Sequence, residues 1–402
     1  MKTIIYTLIF LAFASMTNAQ WVQMSNGMGT DTVVGSLASI GNNIFAGTLS
    51  NGVYLSTNYG ESWNQTTLSS YIESLTTLGN NIFAGTALGG VYISTNNGTT
   101  WSQTSLGNLD VLGLTTLETN IFAGIALGGA YLSTNNGTTW TYCGLNGQSV
   151  YTFAKLNNNL FAGRKIDGVY LSTNNGTSWT QTSLNNRTVH SLATLGNNIF
   201  AGSDSGVYLS TNNGTSWTRT SLNNQYIFSL SIIGTTIFAG ATYGGFYFST
   251  NNGTNWIQKN EGFTPTTNVN ALQITNSYIF AGTFGKSVWR RPLSEIIGIQ
   301  PISNEVPNRF SLSQNYPNPF NPTTKIRFSI PLSRGLSEGR GVLTQLIIYD
   351  ILGREVATLV NEQLNPGTYE VDFDGSSYTS GLYFYKLSTE SYTETKKMVL
   401  LK

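Results

Sequence analysis

An eight-residue segment occurs six times at a spacing of 38 or 39 residues, and nothing else in the chain limits its possible folds as strongly. It first reads Ser56-Thr57-Asn58-Tyr59-Gly60-Glu61-Ser62-Trp63 and begins again at Ser94, Ser133, Ser172, Ser210 and Ser249. A second segment, (Ile/Leu)-Phe-Ala-Gly, occurs seven times, with its Phe at 45, 83, 122, 161, 200, 238 and 280. No window shows a 3.6-residue apolar period, and Gly and Asn interrupt the chain about every ten residues, so helices are excluded. A period near 40, rich in β-forming residues, fits four short strands with their turns, the unit of a propeller blade. In the fifth repeat, strand A spans Thr188–Leu192, B Ile199–Gly202 and C Val207–Ser210, and D begins at Trp217.

The seventh repeat has strands A, B and C, ending at Ser287-Val288-Trp289-Arg290, but no strand D. Trp21-Val22-Gln23-Met24 resembles the start of a D strand such as Trp63-Asn64-Gln65-Thr66, so an N-terminal strand is expected to complete the last blade. Closure of that kind removes exposed sheet edges. The expected fold is all-β: a seven-bladed β-propeller over residues 20–293, then a linker at 294–309 and an immunoglobulin-like β-sandwich over 310–402.

Composition narrows the setting. Only 10% of residues are charged and the net charge is +1, which leaves no long-range field to gather nucleic acid or an anionic membrane. Lys2, the apolar run Ile4–Ala14 and Thr17-Asn18-Ala19 before Gln20 read as a signal peptide over residues 1–19. The run is too short to span a bilayer, and no transmembrane segment is expected in the mature chain. The one thiol, Cys143, excludes an intrachain disulfide, so stability must come from packing.

The Ser-x-Asn-x-Gly-x-x-Trp segment resembles the Asp-box (BNR repeat) of sialidase-like and other secreted propellers, with Asn in the Asp position. Its Asn and Ser can hydrogen-bond turn backbone, its Gly supplies a positive φ, and its Trp is expected to pack beneath the hairpin. It reads as a structural staple, and the Asn-Gly-Thr sequons inside it read as turns. Sialidase-type catalysis, as the resemblance implies, would need several arginines on one carboxylate. Arg164, Arg187, Arg219, Arg290 and Arg291 show no matching motif.

The A–B turns and the C–D boxes barely vary between repeats, whereas the B–C and D–A turns, on the opposite face, do. The varied turns include Arg164-Lys165-Ile166-Asp167, Asp204-Ser205 and Tyr243-Gly244, together with Tyr71, Asp110, Arg187 and Tyr226. A repeat protein that binds one asymmetric ligand diversifies in this way. Near the start of the A strands stands a column of Gly35, Glu73, Leu112, Tyr151, His190, Phe228 and Asn270. These residues either ring the mouth of a central channel as a ligand site or pack one blade against the next. The ligand-binding candidates are Glu73, Tyr151, Arg164, Asp167, Arg187, His190, Asp204 and Asn270. No catalytic residue, metal or cofactor is assigned: His190 is the only histidine, and no two carboxylates share a motif.

The C-terminal region carries Asn315-Tyr316-Pro317-Asn318-Pro319-Phe320-Asn321-Pro322, Tyr349-Asp350-Ile351-Leu352-Gly353-Arg354-Glu355-Val356, Leu364-Asn365-Pro366-Gly367-Thr368-Tyr369, Ser380-Gly381-Leu382-Tyr383 and Lys396-Lys397-Met398-Val399. These motifs resemble the type A sorting domain of type IX secretion substrates. The resemblance implies export across the outer membrane, with the cargo surface-attached or released and the type IX machinery as partner. Pro317, Asn318, Pro319, Gly381, Tyr383, Lys396 and Lys397 are the sorting-signal candidates, although Lys396-Lys397 also reads as a solvated basic end. Ser333–Gly341 reads as a loop insertion. The expected function is non-catalytic binding of a polysaccharide or protein outside the cell by a monomeric propeller. The alternative is an extracellular carbohydrate-active hydrolase using carboxylates of the variable face.

Overall fold

The computed structural model describes residues 20–402 apart from 235, 276–277, 298–299, 304–306, 332–341, 365 and 376–377. The signal-peptide stretch, the insertion at 333–341 and Asn365 therefore lie outside the described residues.

Each repeat is a four-stranded antiparallel sheet in the order A-B-C-D, and the described residues hold seven such sheets. Their A strands are Val34–Ile40, Ile72–Leu78, Val111–Leu117, Val150–Leu156, Val189–Leu195, Ile227–Ile233 and Val269–Ile274. Each A strand packs beside the next, and Val269–Ile274 packs beside Val34–Ile40, so the row returns on itself. The fourth strand of the seventh sheet is Val22–Met24, which pairs antiparallel with Val288–Pro292, Val22 opposite Arg290 and Met24 opposite Val288.

The glycine of (Ile/Leu)-Phe-Ala-Gly is explained by this packing. A Cβ on Gly85 would stand 2.8 Å from Val111 Cγ1, one on Gly124 2.3 Å from the Val150 carbonyl oxygen, and one on Gly282 2.7 Å from Val34 Cγ1. Each contact is with the A strand of the following sheet, and the sheets approach too closely for any side chain. The Phe and Ala of the same segment are buried, with Phe45, Phe83, Phe161, Phe200, Phe238 and Phe280 fully so.

Local chemistry shapes the recurring turn. Ser56 Oγ donates to Asn58 Oδ1 at 2.9 Å, the Gly60 N–H donates to Ser56 Oγ at 2.8 Å, and the Ser62 N–H donates to Asn58 Oδ1 at 3.0 Å. Gly60 has φ +85°, as this turn requires. The tryptophan does more than pack beneath its own hairpin, because its indole N–H reaches the preceding sheet. Trp101, Trp140, Trp217 and Trp256 donate to Thr66, Thr104, Thr182 and Thr220, each at 3.2 Å, and Trp63 donates to the Met24 carbonyl at 2.9 Å. The segment therefore joins neighbouring sheets as well as closing its own turn.

The C-terminal region forms two four-stranded sheets. One holds Gln300–Ser303, Gly367–Asp374, Thr323–Ile330 and Ser311–Leu312, and the other holds Glu355–Leu364, Val342–Tyr349, Gly381–Thr389 and Thr393–Leu400. Alternate residues turn inward, as strand geometry dictates. Ile326, Phe328, Val371 and Phe373 of the first sheet share one core with Leu346, Ile348, Tyr385, Leu387, Met398 and Leu400 of the second. The stretch read as a linker, 294–309, carries a helical turn at Ser294–Ile297, and its Gln300–Ser303 pairs as an edge strand with Gly367–Asp374. Backbone pairing at a sheet edge needs no strong side-chain pattern, so composition did not reveal it.

Candidate functional site

The variable column turns out to share a backbone feature. In all seven A strands the pairing with strand B slips at the same place, between Val34 and Ser36, Ile72 and Ser74, Val111 and Gly113, Val150 and Thr152, Val189 and Ser191, Ile227 and Ser229, and Val269 and Ala271. The unpaired residue in each is a member of the column: Gly35, Glu73, Leu112, Tyr151, His190, Phe228 or Asn270. A β-bulge frees one residue from the ladder and re-aims its side chain. Seven such positions face one end of the ring of A strands, beside the B–C and D–A turns.

Three neighbouring members form an aromatic shelf. The Tyr151 and His190 rings lie 5.3 Å apart and the His190 and Phe228 rings 4.6 Å apart, tilted within each pair. His190 Nε2 is buried and has no hydrogen-bond partner among the described residues. Burial lowers the His190 pKa to about 4, partly opposed by the negative charge of Asp204. Asp204 accepts the Thr188 N–H at Oδ2 (3.3 Å), while its Oδ1 is buried and unpartnered among the described residues.

Acidic groups stand near this shelf. Burial raises the Glu73 pKa, and repulsion from Asp110 adds to the rise. Burial also raises that of Asp110, whose Oδ1 has no partner among the described residues. Tyr151 is raised first by burial and then by Glu73, and Tyr71 by burial, Glu73 and Asp110. The charge of Asp110 therefore reaches Glu73 and Tyr71, and that of Glu73 reaches Tyr71 and Tyr151. Asp110 and Tyr71 were visible in the sequence only as variable turn residues, and their electrostatic link to Glu73 follows from the fold.

Other candidates are engaged elsewhere. Arg164 is buried: its guanidinium donates to the Asn146 carbonyl at 3.2 Å, lies 3.6 Å from Asp167 Oδ2, and sits over the Tyr170 ring at 4.7 Å. Arg164 and Asp167 thus pair with each other within their own repeat. Tyr208 shares a 3.3 Å hydrogen bond with Ser205 Oγ, and Ser205 together with the nearby Arg187 guanidinium lowers its pKa against the effect of burial. Asn270 keeps its place in the bulge column. Cys143 is packed, and burial pushes its pKa up to about 12, which leaves it inert. No group of His, Cys, Asp or Glu among the described residues could hold a metal ion.

The unfolded chain takes up the His190 imidazole proton near pH 6.5, whereas the folded chain does so only near pH 4. Stability is therefore lost as pH falls through that window, by on the order of 3 kcal/mol at its lower end. His190→Phe is expected to remove this loss. Denaturation curves of the two proteins that stay parallel between pH 7 and pH 4 would contradict the burial of a neutral imidazole.

The sorting candidates gather around the last strand. Asn318 Oδ1 accepts the Val399 N–H at 2.9 Å, the Phe320 N–H donates to the Val399 carbonyl at 2.9 Å, and the Leu401 N–H donates to the Phe320 carbonyl at 2.9 Å. The Pro317 carbonyl accepts from Asn315 and Thr324, and Tyr316-Pro317 and Asn318-Pro319 are cis. Pro319 lies between these contacts. Tyr383 is buried and donates to the Thr379 carbonyl at 2.8 Å, while exposed Gly381 pairs with Leu400. Lys396 and Lys397 are successive strand residues and so point to opposite faces. Lys396 pairs with Glu394 at 3.0 Å and Lys397 is exposed, so the two do not form one basic patch.

The chain has structural relatives of low identity. It is similar to YCF48 from Cyanidioschyzon merolae (15% identity, TM-score 0.55, covering 69% of this chain and 100% of that one). It is also similar to the WD40 β-propeller domain of Doa1 (13%, 0.56, 68% and 96%) and to a GH74 xyloglucanase from Xanthomonas campestris (12%, 0.54, 80% and 66%). At such identities these likenesses concern the fold alone, and the fold is that of a β-propeller. No curated protein matches the sequence. Among the described residues, no helix is long and apolar enough to cross a membrane. Residues 314–401 match the family described as the secretion system C-terminal sorting domain. The chain thus joins a propeller-like all-β region to a C-terminal sorting domain that marks it for export by type IX secretion to the cell surface or the extracellular space.

Proposed function

We propose that residues 20–293 form a seven-bladed propeller, closed by its N-terminal strand, which binds a glycan without catalysis at the mouth of its central channel. Residues 1–19 serve as the signal peptide, and an immunoglobulin-like sandwich over 310–402 is the export address. The observation that carries the binding reading is the run of bulge residues Tyr151, His190 and Phe228, whose rings form a shelf across three successive A strands. Such a shelf suits the apolar face of a sugar ring. The unpartnered polar atoms of His190, Asp110 and Asp204 suit its hydroxyls, because buried polar groups are ordinarily hydrogen-bonded. The carboxylates Glu73 and Asp110 disfavour an anionic glycan.

The test is to pass the full chain over a panel of neutral polysaccharides and host matrix proteins, reading both retention and released reducing ends. Retention on a polysaccharide without release is expected, with Tyr151→Ala weakening it about 3- to 10-fold, the range for one lost aromatic contact. Retention on proteins alone would replace the glycan reading with that of a protein adhesin.

A hydrolase is the second reading, favoured by the raised pKa values of Glu73 and Asp110, since a general acid needs a carboxyl that stays protonated. Similarity to a GH74 xyloglucanase lends that reading a precedent on this fold. Release of reducing ends, abolished in Glu73→Gln, would decide for it.

A further inference from the structure

Resting on the glycan reading, we infer that the variable face holds a second sugar subsite at the outer edge of the sixth sheet, and that the ligand is an uncharged polysaccharide. The subsite is a cleft of about 160 Å³ between Tyr243 and the loop residues Phe263, Thr264, Pro265 and Thr266. Free-standing small-molecule sites run to about 300–1,000 Å³, so this cleft suits one unit of a longer ligand.

Three observations mark the cleft as built. First, the connection Lys259–Asn268 is longer than any other between a D strand and the next A strand. It is nonetheless tied down: Phe263 stacks on Trp21 at 4.6 Å, Lys286 Nζ donates to Thr264 Oγ1 and to the Pro265 carbonyl, and Thr267 Oγ1 donates to the Thr264 carbonyl at 2.7 Å. A surface fixed in advance loses little entropy on binding. Second, Thr266 has φ +62°, a left-handed backbone that is costly for a β-branched residue. The Tyr243 N–H is held by Asn268 Oδ1 at 2.7 Å. Third, Tyr243 is 78% exposed, where the same turn in other sheets carries the aliphatic residues Leu88, Leu127 and Ile166.

The cleft connects to the channel mouth along one sheet. The Tyr226 carbonyl accepts the Thr242 N–H at 2.9 Å, which sets Tyr226, itself 53% exposed, next to Tyr243 across the hairpin. Two residues beyond Tyr226 stands Phe228, the last ring of the shelf, 4.6 Å from His190. Aromatic residues therefore mark the way from the innermost strand to the outer turn, as a chain of stacked sugar rings would require. Among the described residues the lining itself carries no charged side chain, and the Lys286 ammonium at its border is taken up by Thr264 Oγ1 and the Pro265 carbonyl, so the remaining hydroxyl and carbonyl capacity suits a neutral polyol.

The experiment compares β-glucan, xylan, mannan and galactan polymers with their disaccharides on the full chain, by affinity electrophoresis and calorimetry. A polymer is expected to bind at least about tenfold more tightly than its disaccharide, as linked subsites do. Tyr243→Ala should weaken the polymer about 3- to 10-fold and leave the disaccharide unchanged, while Tyr151→Ala weakens both. Leu127→Ala, at the equivalent exposed turn, should change neither. Polymer binding untouched by Tyr243→Ala but weakened by Tyr151→Ala would overturn the second subsite and leave the mouth site standing. Weakening by Tyr243→Ala alone would overturn the mouth site and keep the cleft. Retention of no neutral polymer would overturn both.

Discussion

Replacing Trp21 by alanine is expected to destabilise the repeat region by about 3–5 kcal/mol, the range for emptying a buried aromatic site. Trp21 is 1% exposed, stacks on Phe263 at 4.6 Å and meets the edge of Phe246 at 5.1 Å. Its indole N–H donates to the Lys259 carbonyl at 2.7 Å, and its backbone N–H donates to the Glu261 carbonyl at 2.7 Å. The residue thus pins the long connection after the sixth sheet to the strand that completes the seventh. Losing it also frees the edge of Val288–Pro292, whose partner Val22–Met24 begins at the next residue. Denaturant unfolding of the full chain measures the loss, and hydrogen exchange should show the amides of 259–268 opening first. A change below about 1 kcal/mol would mean that the N-terminal strand adds little to the closure of the ring.

Met398→Asp is expected to reduce export to background. Met398 and Leu400 are fully buried on the inward face of the last strand, in one core with Leu346 and Tyr385. A carboxylate there would cost several kcal/mol to bury without a partner, so the strand would leave the sheet. Loss of Thr393–Leu400 would also release the segment around Asn318 and Phe320, which is bonded to Val399 and Leu401. Surface protease accessibility and the amount of protein in the medium report export. Combined Lys396→Ala and Lys397→Ala substitution provides the contrast, because it alters side chains outside the core and leaves the fold intact. If the lysine variant fails while folded, the machinery reads the basic side chains. If only Met398→Asp fails, the machinery reads the folded sandwich. Normal export of Met398→Asp would mean that the last strand is recognised without being folded into the sheet.

The sequence repeat and the architecture agree because a propeller repeats its chemistry with its geometry. Four strands per repeat, the A–B and C–D turns on one face, and the unmatched strand at each end of the array can all be read from spacing. The turn at Ser56–Trp63 can be read too, since its hydrogen bonds join residues two to four apart. Its tryptophan was legible only in part: the acceptor of Trp101 is Thr66, thirty-five residues earlier, and no local pattern names a partner at that distance. The same limit hid the role of Gly282, which makes room for Val34 at the opposite end of the repeat region.

For the candidate site, the residue column was legible and its chemistry was not. Variation at Glu73, Tyr151, His190 and Phe228 stands out against an otherwise regular repeat, and that contrast belongs to the sequence alone. The bulge that frees each of these residues appears only in the strand register. The contact between the His190 and Phe228 rings and the influence of Asp110 on Glu73 arise only when separate repeats are brought side by side. Likewise, Arg164 looked available in a variable turn until packing buried it against Asn146 and Tyr170. The sequence by itself determined the repeat unit, its turns and the sorting motifs, because these depend on residues within a few positions of one another. The tertiary structure alone decided which polar groups lose water and which rings meet, because desolvation and charge coupling depend on distance in space.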